Sequence, residues 1–341
     1  MVPVGGFSLV PLRASIVIPT YNRRQRLARV LDALDAQTTS PDAFEVVVID
    51  DGSSDDTGSW LEKQQRRYGL RVIRQANAGP ARARNAGVKA ATGELLLFLD
   101  DDVEPLPALV AEHLLSHERE ADVVVMGPLG SLPHYAQPWV AWEQAKLEEQ
   151  YAAMKRGDWE PTFRQFWTGN ASVERKYVVE AGGFNTEFLR AEDVELAYRL
   201  HGRGLKFRFN AEARGLHHAE RSLASWEHAQ RSYGELEVQI FSMWEKGALI
   251  GILAANWARL HPATKLLVGG CLKSRLAYEK TAAGFRTWLE TAKKLERGLL
   301  SDKVCSAFAN LLYWRASVDA LGPTRSAEVF ERASRLTRDA R

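Results

Sequence analysis

Three consecutive carboxylates, Asp100, Asp101 and Asp102, close the apolar run Glu94-Leu-Leu-Leu-Phe-Leu99. Side by side they repel one another, so something positive has to meet them. Asp100 and Asp102 can face one opening, and hard oxygen donors of this kind suit Mg²⁺ or Mn²⁺ shared with a substrate diphosphate. A solvated acidic turn accounts for a lone Asp-x-Asp. Attachment to a buried strand, with Pro105 and Pro107 following, favours the cation.

A second acidic cluster lies in VVVIDDGSSDDT, Val46–Thr57. Asp50-Asp51-Gly52 reads as a tight turn leaving a strand, and Asp55 or Asp56 can cap the helix that follows. Capping leaves Asp51 unexplained, at an edge where a base or ribose could be held. Glu192-Asp193 opens a further helical stretch. Acidic residues there meet the positive end of the helix dipole, and a carboxylate so placed can also serve as a general base. His217-His218 follows a short strand, and imidazole can complete a metal coordination sphere. No GxGxxG follows the first strand and no GxxxxGK[ST] occurs, which disfavours a dinucleotide fold and a P-loop.

These residues need a scaffold, and the first half of the chain supplies one. Ala14–Pro19, Phe44–Asp50, Leu70–Gln75, Glu94–Asp100 and Ala121–Met126 are near-continuous apolar runs, as in strands buried on both faces of a parallel sheet. Amphipathic stretches alternate with them: Arg24–Ala36, Asp55–Arg67, Pro80–Ala91 and Leu106–Glu118. The pattern predicts an α/β open sheet. Ligands of such sheets bind beyond the carboxyl ends of the strands. Thr20-Tyr21-Asn22, Asp50–Asp56 and Asp100–Asp102 all fall on that edge. From about Trp139 to His218 the pattern loosens, with helices expected over Glu174–Ala181 and Glu192–Gly202 and short strands over Leu205–Asn210 and Ala213–His217. Beyond Glu220 the chain reads as helical, with breaks at His261-Pro262 and Leu321-Gly322-Pro323.

Composition sets the outer bounds. With 341 residues, 45% hydrophobic and 26% charged, the chain is an ordinary globular protein, and disorder or a collagen-like structure is excluded. Its cysteines, Cys271 and Cys305, stand far apart in no ligand spacing, which fits a reducing, cytoplasmic compartment. No signal peptide is read at the start, and no apolar run reaches the ~18 residues of a membrane span. Gly247–Ala258 is apolar but short, and a buried helix is expected there. The net charge of +2 hides an asymmetry: Arg259–Arg341 holds 16 Lys and Arg against 8 Asp and Glu. Residues 1–258 are left at about −6.

The segments SIVIPTYNR (15–23), VVIDDGSSDDT (47–57), NAGPARARNAG (77–87), FLDDDVEP (98–105), TGNASVER (168–175), GGFNTEF (182–188) and AEDVELAYRL (191–200) occur in order. Together they resemble the family 2 glycosyltransferases, inverting enzymes of the GT-A fold, over roughly residues 14–220. The resemblance implies a Rossmann-like, mostly parallel sheet with flanking helices in residues 1–220. Its nucleotide-sugar half would be 14–126 and its acceptor half 127–220, with a helical extension over 221–341. Pro19, Thr20 and Tyr21 match the loop flanking the nucleotide base, and Asp51 the acid that bonds it. Arg84 and Asn85 match a segment beside the donor, Asp100 and Asp101 the donor side of the acidic motif. Asp102 and Asp100, with His217 ahead of His218, match the surroundings of the cation, and Asp193 matches the catalytic base. Trp167, Gly169, Asn170 and Glu192 are expected on the acceptor side.

The implied cofactor is Mn²⁺ or Mg²⁺, the donor a nucleoside-diphosphate sugar with UDP preferred, and the acceptor a glycan or lipid-linked hydroxyl in polysaccharide or glycoconjugate synthesis. No nucleic-acid partner is expected. A sugar-phosphate nucleotidyltransferase is the rival enzyme, but it wants a glycine-rich basic loop where this chain has Pro19-Thr20-Tyr21-Asn22-Arg23. A non-catalytic nucleotide-sugar-binding protein is the other rival, disfavoured by retention of Asp100, Asp102 and Asp193. Two readings of the tail stay open. Trp226, Trp244, Trp257, Trp288 and Trp314 among basic residues suit a peripheral contact with the inner membrane face. A packed helical domain, able to form a homodimer, suits them equally.

Overall fold

A computed structural model of the chain describes residues 13–188, 190–244, 248–294 and 299–339. Its first compact unit comprises the described residues up to Pro133 together with Ala145–Ala219. The strands are β1 (Ala14–Thr20), β2 (Phe44–Asp50), β3 (Gly69–Arg74), β4 (Leu95–Leu99), β5 (Val103–Pro105), β6 (Val123–Met126), β7 (Leu129–Gly130), β8 (Asn170–Glu174), β9 (Lys206–Phe209) and β10 (Gly215–His217). The helices that accompany them are α1 (Arg24–Asp35), α2 (Thr57–Leu61), α3 (Pro80–Ala90), α4 (Leu109–Arg119), α5 (Pro138–Arg156), α6 (Arg175–Glu180) and α7 (Glu192–Gly202).

Seven strands form one sheet in the order β3-β2-β1-β4-β8-β6-β9. Neighbours run parallel except at β8, which is antiparallel to both β4 and β6. Alternation along each strand sends side chains to opposite faces. Ile16, Ile18, Val46, Val48 and Leu97 therefore pack with Leu27 and Leu31 of α1 on one side. Val17, Val47, Ile49, Leu96 and Phe98 pack with Val88 of α3 and Leu196 of α7 on the other. A sheet covered on both faces explains why β1, β2 and β4 carry no polar alternation. A smaller sheet, β5-β10-β7, stands apart, with His217 opposite Val103 in its antiparallel pair.

Several elements depart from expectation. The helix expected over 55–67 stops at Leu61, because Tyr68 packs on Phe44 and bonds the Leu31 carbonyl, drawing the chain back to α1. Helix α5 was not anticipated, since apolar residues are spread around its circumference. Strand β8 was not anticipated either; a single antiparallel strand of five residues leaves no periodic signal.

The second unit comprises His134–Gln144 and Glu220 onward. It contains α8 (Leu223–Trp244), α9 (Leu249–Arg259), α10 (Pro262–Leu272), α11 (Arg275–Lys294) and α12 (Leu299–Asp339). His261 caps α10 by accepting from the Ala263 amide, with Pro262 in the first helical position. Gly322 takes φ 76° and kinks α12 ahead of Pro323. Trp226 and Trp314 are buried within the unit, and Trp257 lies edge-on to Trp314 at 4.9 Å. These tryptophans build a helical core and are not presented as an interfacial belt. No helix among the described residues is long and apolar enough to cross a membrane.

Candidate active site

The carboxylates at the end of β4 are met by arginines from other segments. Arg84 of α3 donates to Asp100 at 2.9 Å. Arg23, just after β1, donates to Asp101 at 2.8 Å and to Asp102 at 3.1 Å. Arg26 stands 3.6 Å from Asp102. Thr20, expected at the nucleotide base, donates instead to Asp101 at 2.7 Å. Asp101 is buried, and burial pushes its carboxyl up to about 6 against the pull of Arg23. The repulsion evident in the sequence is thus relieved by cations of the chain itself. Sequence reasoning missed Arg23 and Arg26; the run Arg23-Arg24-Gln25-Arg26 directly after the first strand was their signal.

Pairing of β10 with β5 brings His217 to this corner, its Nε2 3.7 Å from Asp102 Oδ1. Neighbouring ligands of an octahedral Mg²⁺-sized cation stand ~3.0 Å apart, so a cation seated here would draw the two side chains closer. The carboxylate oxygen suits Mn²⁺ or Mg²⁺, and the imidazole nitrogen favours the transition ion Mn²⁺ over the harder Mg²⁺. Among the described residues no group of three His, Cys, Asp or Glu surrounds a single point. A cation held here would take Asp102 and His217 from the chain and would need substrate oxygens and water to complete its shell. His218 is turned elsewhere, its Nε2 2.7 Å from Glu104 and its Nδ1 3.4 Å from Arg29.

Asp51 sits at the end of β2, its amide bonded to the Thr20 carbonyl at 2.9 Å. Its carboxylate accepts from Gln75 and from the amides of Ala78 and Gly79, and so ties down the loop entering α3. Oδ2 carries one of these donors and keeps capacity for another. Gly52 takes φ +81°, and a Cβ there would fall 2.6 Å from the Asn77 amide nitrogen, so the turn requires glycine. Tyr21 is exposed at the same edge and Pro19 is half-buried.

The fourth component is the start of α7. Ala191 adopts the left-handed region, φ 54°, which a residue with a Cβ visits at a cost. Glu192 and Asp193 follow it. Glu192 accepts from Arg84 at 2.6 Å, so one buried guanidinium joins it to Asp100. Asp193 is half-buried. Burial and the neighbouring Glu192 push its carboxyl up to about 7, with Arg84 opposing.

Other expected residues have structural places. Asn85 bonds the Phe184 backbone in both directions at 2.8 Å, holding the Gly182-Gly183-Phe184 turn. Asn170 is fully buried, donating to the Pro128 and Ala213 carbonyls and meeting His113 at 2.9 Å. With both ends of its amide engaged inside the core, it cannot touch an acceptor. Trp167 is half-buried, donates to the Gly127 carbonyl and packs on Tyr151, touching the cores on both faces of the sheet. Gly169 does border the site: a Cβ there would stand 3.1 Å from Asp100 Oδ2.

Residues 15–179 match the model of glycosyl transferase family 2. Validoxylamine A glucosyltransferase of Streptomyces hygroscopicus subsp. limoneus is 35% identical over 240 residues, covering 62% of this chain. The chain spans about half the length of that relative, 52%. Mannosyltransferase PcManGT from Pyrobaculum calidifontis, solved with GDP-Man and Mn²⁺, superposes with a TM-score of 0.58 at 20% identity, covering 91% of this chain and 87% of that one. TarS of S. aureus superposes with a TM-score of 0.54 at 18% identity, covering 96% of this chain and 55% of that one. Both likenesses are of fold, the mostly parallel sheet with flanking helices of GT-A glycosyltransferases. Residues 15–179, just under half of the chain, are thus similar to glycosyl transferase family 2.

Proposed function

We propose that the chain transfers a sugar from a nucleoside-diphosphate sugar to a hydroxyl of a glycan or lipid-linked acceptor, inverting the anomeric carbon. One observation carries this reading: Arg84 joins Asp100, in the corner fitted for a cation and diphosphate, to Glu192 beside a carboxyl of raised pKa. The two halves of a displacement reaction are thereby held in one network.

Asp193 takes the proton of the acceptor hydroxyl as its oxygen bonds to the anomeric carbon, and a carboxyl poised near neutrality suits that task. The bond from that carbon to the diphosphate oxygen breaks, and its electron pair leaves with the nucleotide. Asp102 and His217 would hold the Mn²⁺ or Mg²⁺, which when bound supplies charge stabilisation to the leaving diphosphate. Asp51 and Tyr21 border the base, with UDP preferred. A single displacement needs no nucleophilic carboxylate on the enzyme. Synthesis of a cell-surface polysaccharide or glycoconjugate is the setting proposed, in a reducing compartment that suits the free Cys271 and Cys305.

A thermal-shift screen of nucleoside diphosphates and sugar nucleotides, with and without Mn²⁺, tests the reading. Stabilisation should need the cation and be weakened by Asp102→Ala. Stabilisation by nucleoside triphosphates, with release of pyrophosphate, would point to a nucleotidyltransferase instead.

A further inference from the structure

The helical unit contains a cavity of about 310 Å³ whose lining includes Arg231 of α8, Arg275, Tyr278 and Arg286 of α11, and Arg315 of α12. Tyr278 is 7% exposed, and its hydroxyl is buried without a hydrogen-bond partner among the described residues. Such a hydroxyl destabilises a fold unless something accepts from it. Arg231 lies 5.6 Å from the Tyr278 ring centre and Arg315 lies 5.8 Å from it.

The remaining charges of the cavity are largely accounted for. Arg286 is held by both oxygens of Glu227 at 2.8 Å. Arg315 pairs with Asp319 and Arg275 with Glu279, both carboxylates being more than half exposed. Arg231 has no carboxylate partner among the described residues. Even with Glu227 counted, guanidiniums outnumber carboxylates around the cavity.

We propose that this cavity is a binding site for a phosphate-bearing ligand, with Arg231 and Arg315 as its cations and the Tyr278 hydroxyl as a neutral donor. The uncommitted donors, the Arg231 guanidinium and the Tyr278 hydroxyl, are carried on separate helices, Arg315 adds charge from its exposed pair with Asp319, and a tetrahedral phosphate offers oxygens in several directions. Burial raises the Tyr278 pKa, which keeps the hydroxyl protonated and able to donate. An adjoining cavity shares Arg231 and Arg286 and adds Leu223, Ala224 and His228, so there is room for an organic group attached to the phosphate. The ligand class is a phosphomonoester, whether a soluble phosphorylated sugar or polyol or the headgroup of a lipid. None of these residues belongs to the transfer site, so failure here leaves the transfer reading intact.

Titration calorimetry of the full chain with inorganic phosphate and with glycerol 3-phosphate tests the site. One saturable site is expected, weakened by added salt. Tyr278→Phe, which keeps the ring, should weaken it about tenfold, the effect of one hydrogen bond to an anion. Arg231→Gln should weaken it at least as much and Arg231→Lys less. Nucleoside-diphosphate binding stays unchanged in all three, which also reports that they fold. Vesicles containing phosphatidic acid separate the sources: recruitment lost in the same variants assigns a headgroup, and glycerol 3-phosphate binding with inert vesicles assigns a soluble ligand. No saturable phosphate binding by the wild-type chain, or equal binding by folded Tyr278→Phe and Arg231→Gln, overturns the proposal.

Discussion

Arg84 and Glu192 are 108 positions apart in the chain, yet the guanidinium donates to the carboxylate at 2.6 Å in a buried pair. The same guanidinium holds Asp100 at 2.9 Å. Removing it strands Glu192 in a low-dielectric interior, where an uncompensated charge is costly. Arg84→Met is expected to lower unfolding free energy by about 3 kcal/mol or more. Arg84→Lys, a point charge without the fork, should recover part of that stability but little of the activity. Denaturant unfolding and transfer assays of both variants check this.

As the proposed base, Asp193 would act only when ionised, and burial with Glu192 pushes its carboxyl up to about 7. The expected kcat/KM therefore falls as pH drops below about 7 and levels off above it. An ordinary carboxylate would show its fall near pH 4 instead. A pH–rate profile under subsaturating acceptor distinguishes the two.

The proposed cation site distinguishes two adjacent histidines. His217→Ala and Asp102→Asn should weaken Mn²⁺ binding in the presence of a nucleoside diphosphate by about tenfold or more, 1.4 kcal/mol. His218→Ala, which loses its contact with Glu104, should leave that affinity within about twofold. Arg23→Gln removes a cation already seated between Asp101 and Asp102 and should tighten Mn²⁺ binding. Titration calorimetry with Mn²⁺ reads all four.

Beneath the site His113 and His117 share the Ser172 hydroxyl at 2.8 Å, and His113 also meets Asn170. Burial lowers both imidazoles to about 4. The unfolded chain, with ordinary histidines near 6.5, binds more protons than the folded one between those values. Stability should thus be full above about pH 6.5 and decline as pH falls toward 4. Melting temperature against pH measures the slope, which His117→Gln should make shallower.

The legible parts of this molecule were those with a local signature. Strands β1, β2 and β4 are buried on both faces, so their apolar runs stand out, and Asp51 and Asp102 are marked by the strands they terminate. Arg23 and Arg26, which meet Asp101 and Asp102, left only the basic run after the first strand as a sign. Arg23 and Asp101 are 78 positions apart, and that run does not say which carboxylates it meets. Asn85 and Asn170 are expected at the donor and acceptor sides from the resemblance of their segments alone. Their partners are backbone groups of distant segments, which a sequence does not display. Strands β5 and β7, with three and two residues, are too short for any periodicity, although they pair with β10, expected over Ala213–His217, which carries His217 to Asp102.

Donor binding and single-turnover transfer by Asp193→Asn test the central claim most directly. The substitution keeps the shape of the side chain and removes its basicity. Binding of the nucleotide sugar should stay near the wild-type value while transfer falls by about 10²–10⁴-fold, the contribution of a positioned base. Transfer at near wild-type rate, or loss of donor binding with the fold intact, would contradict the assignment.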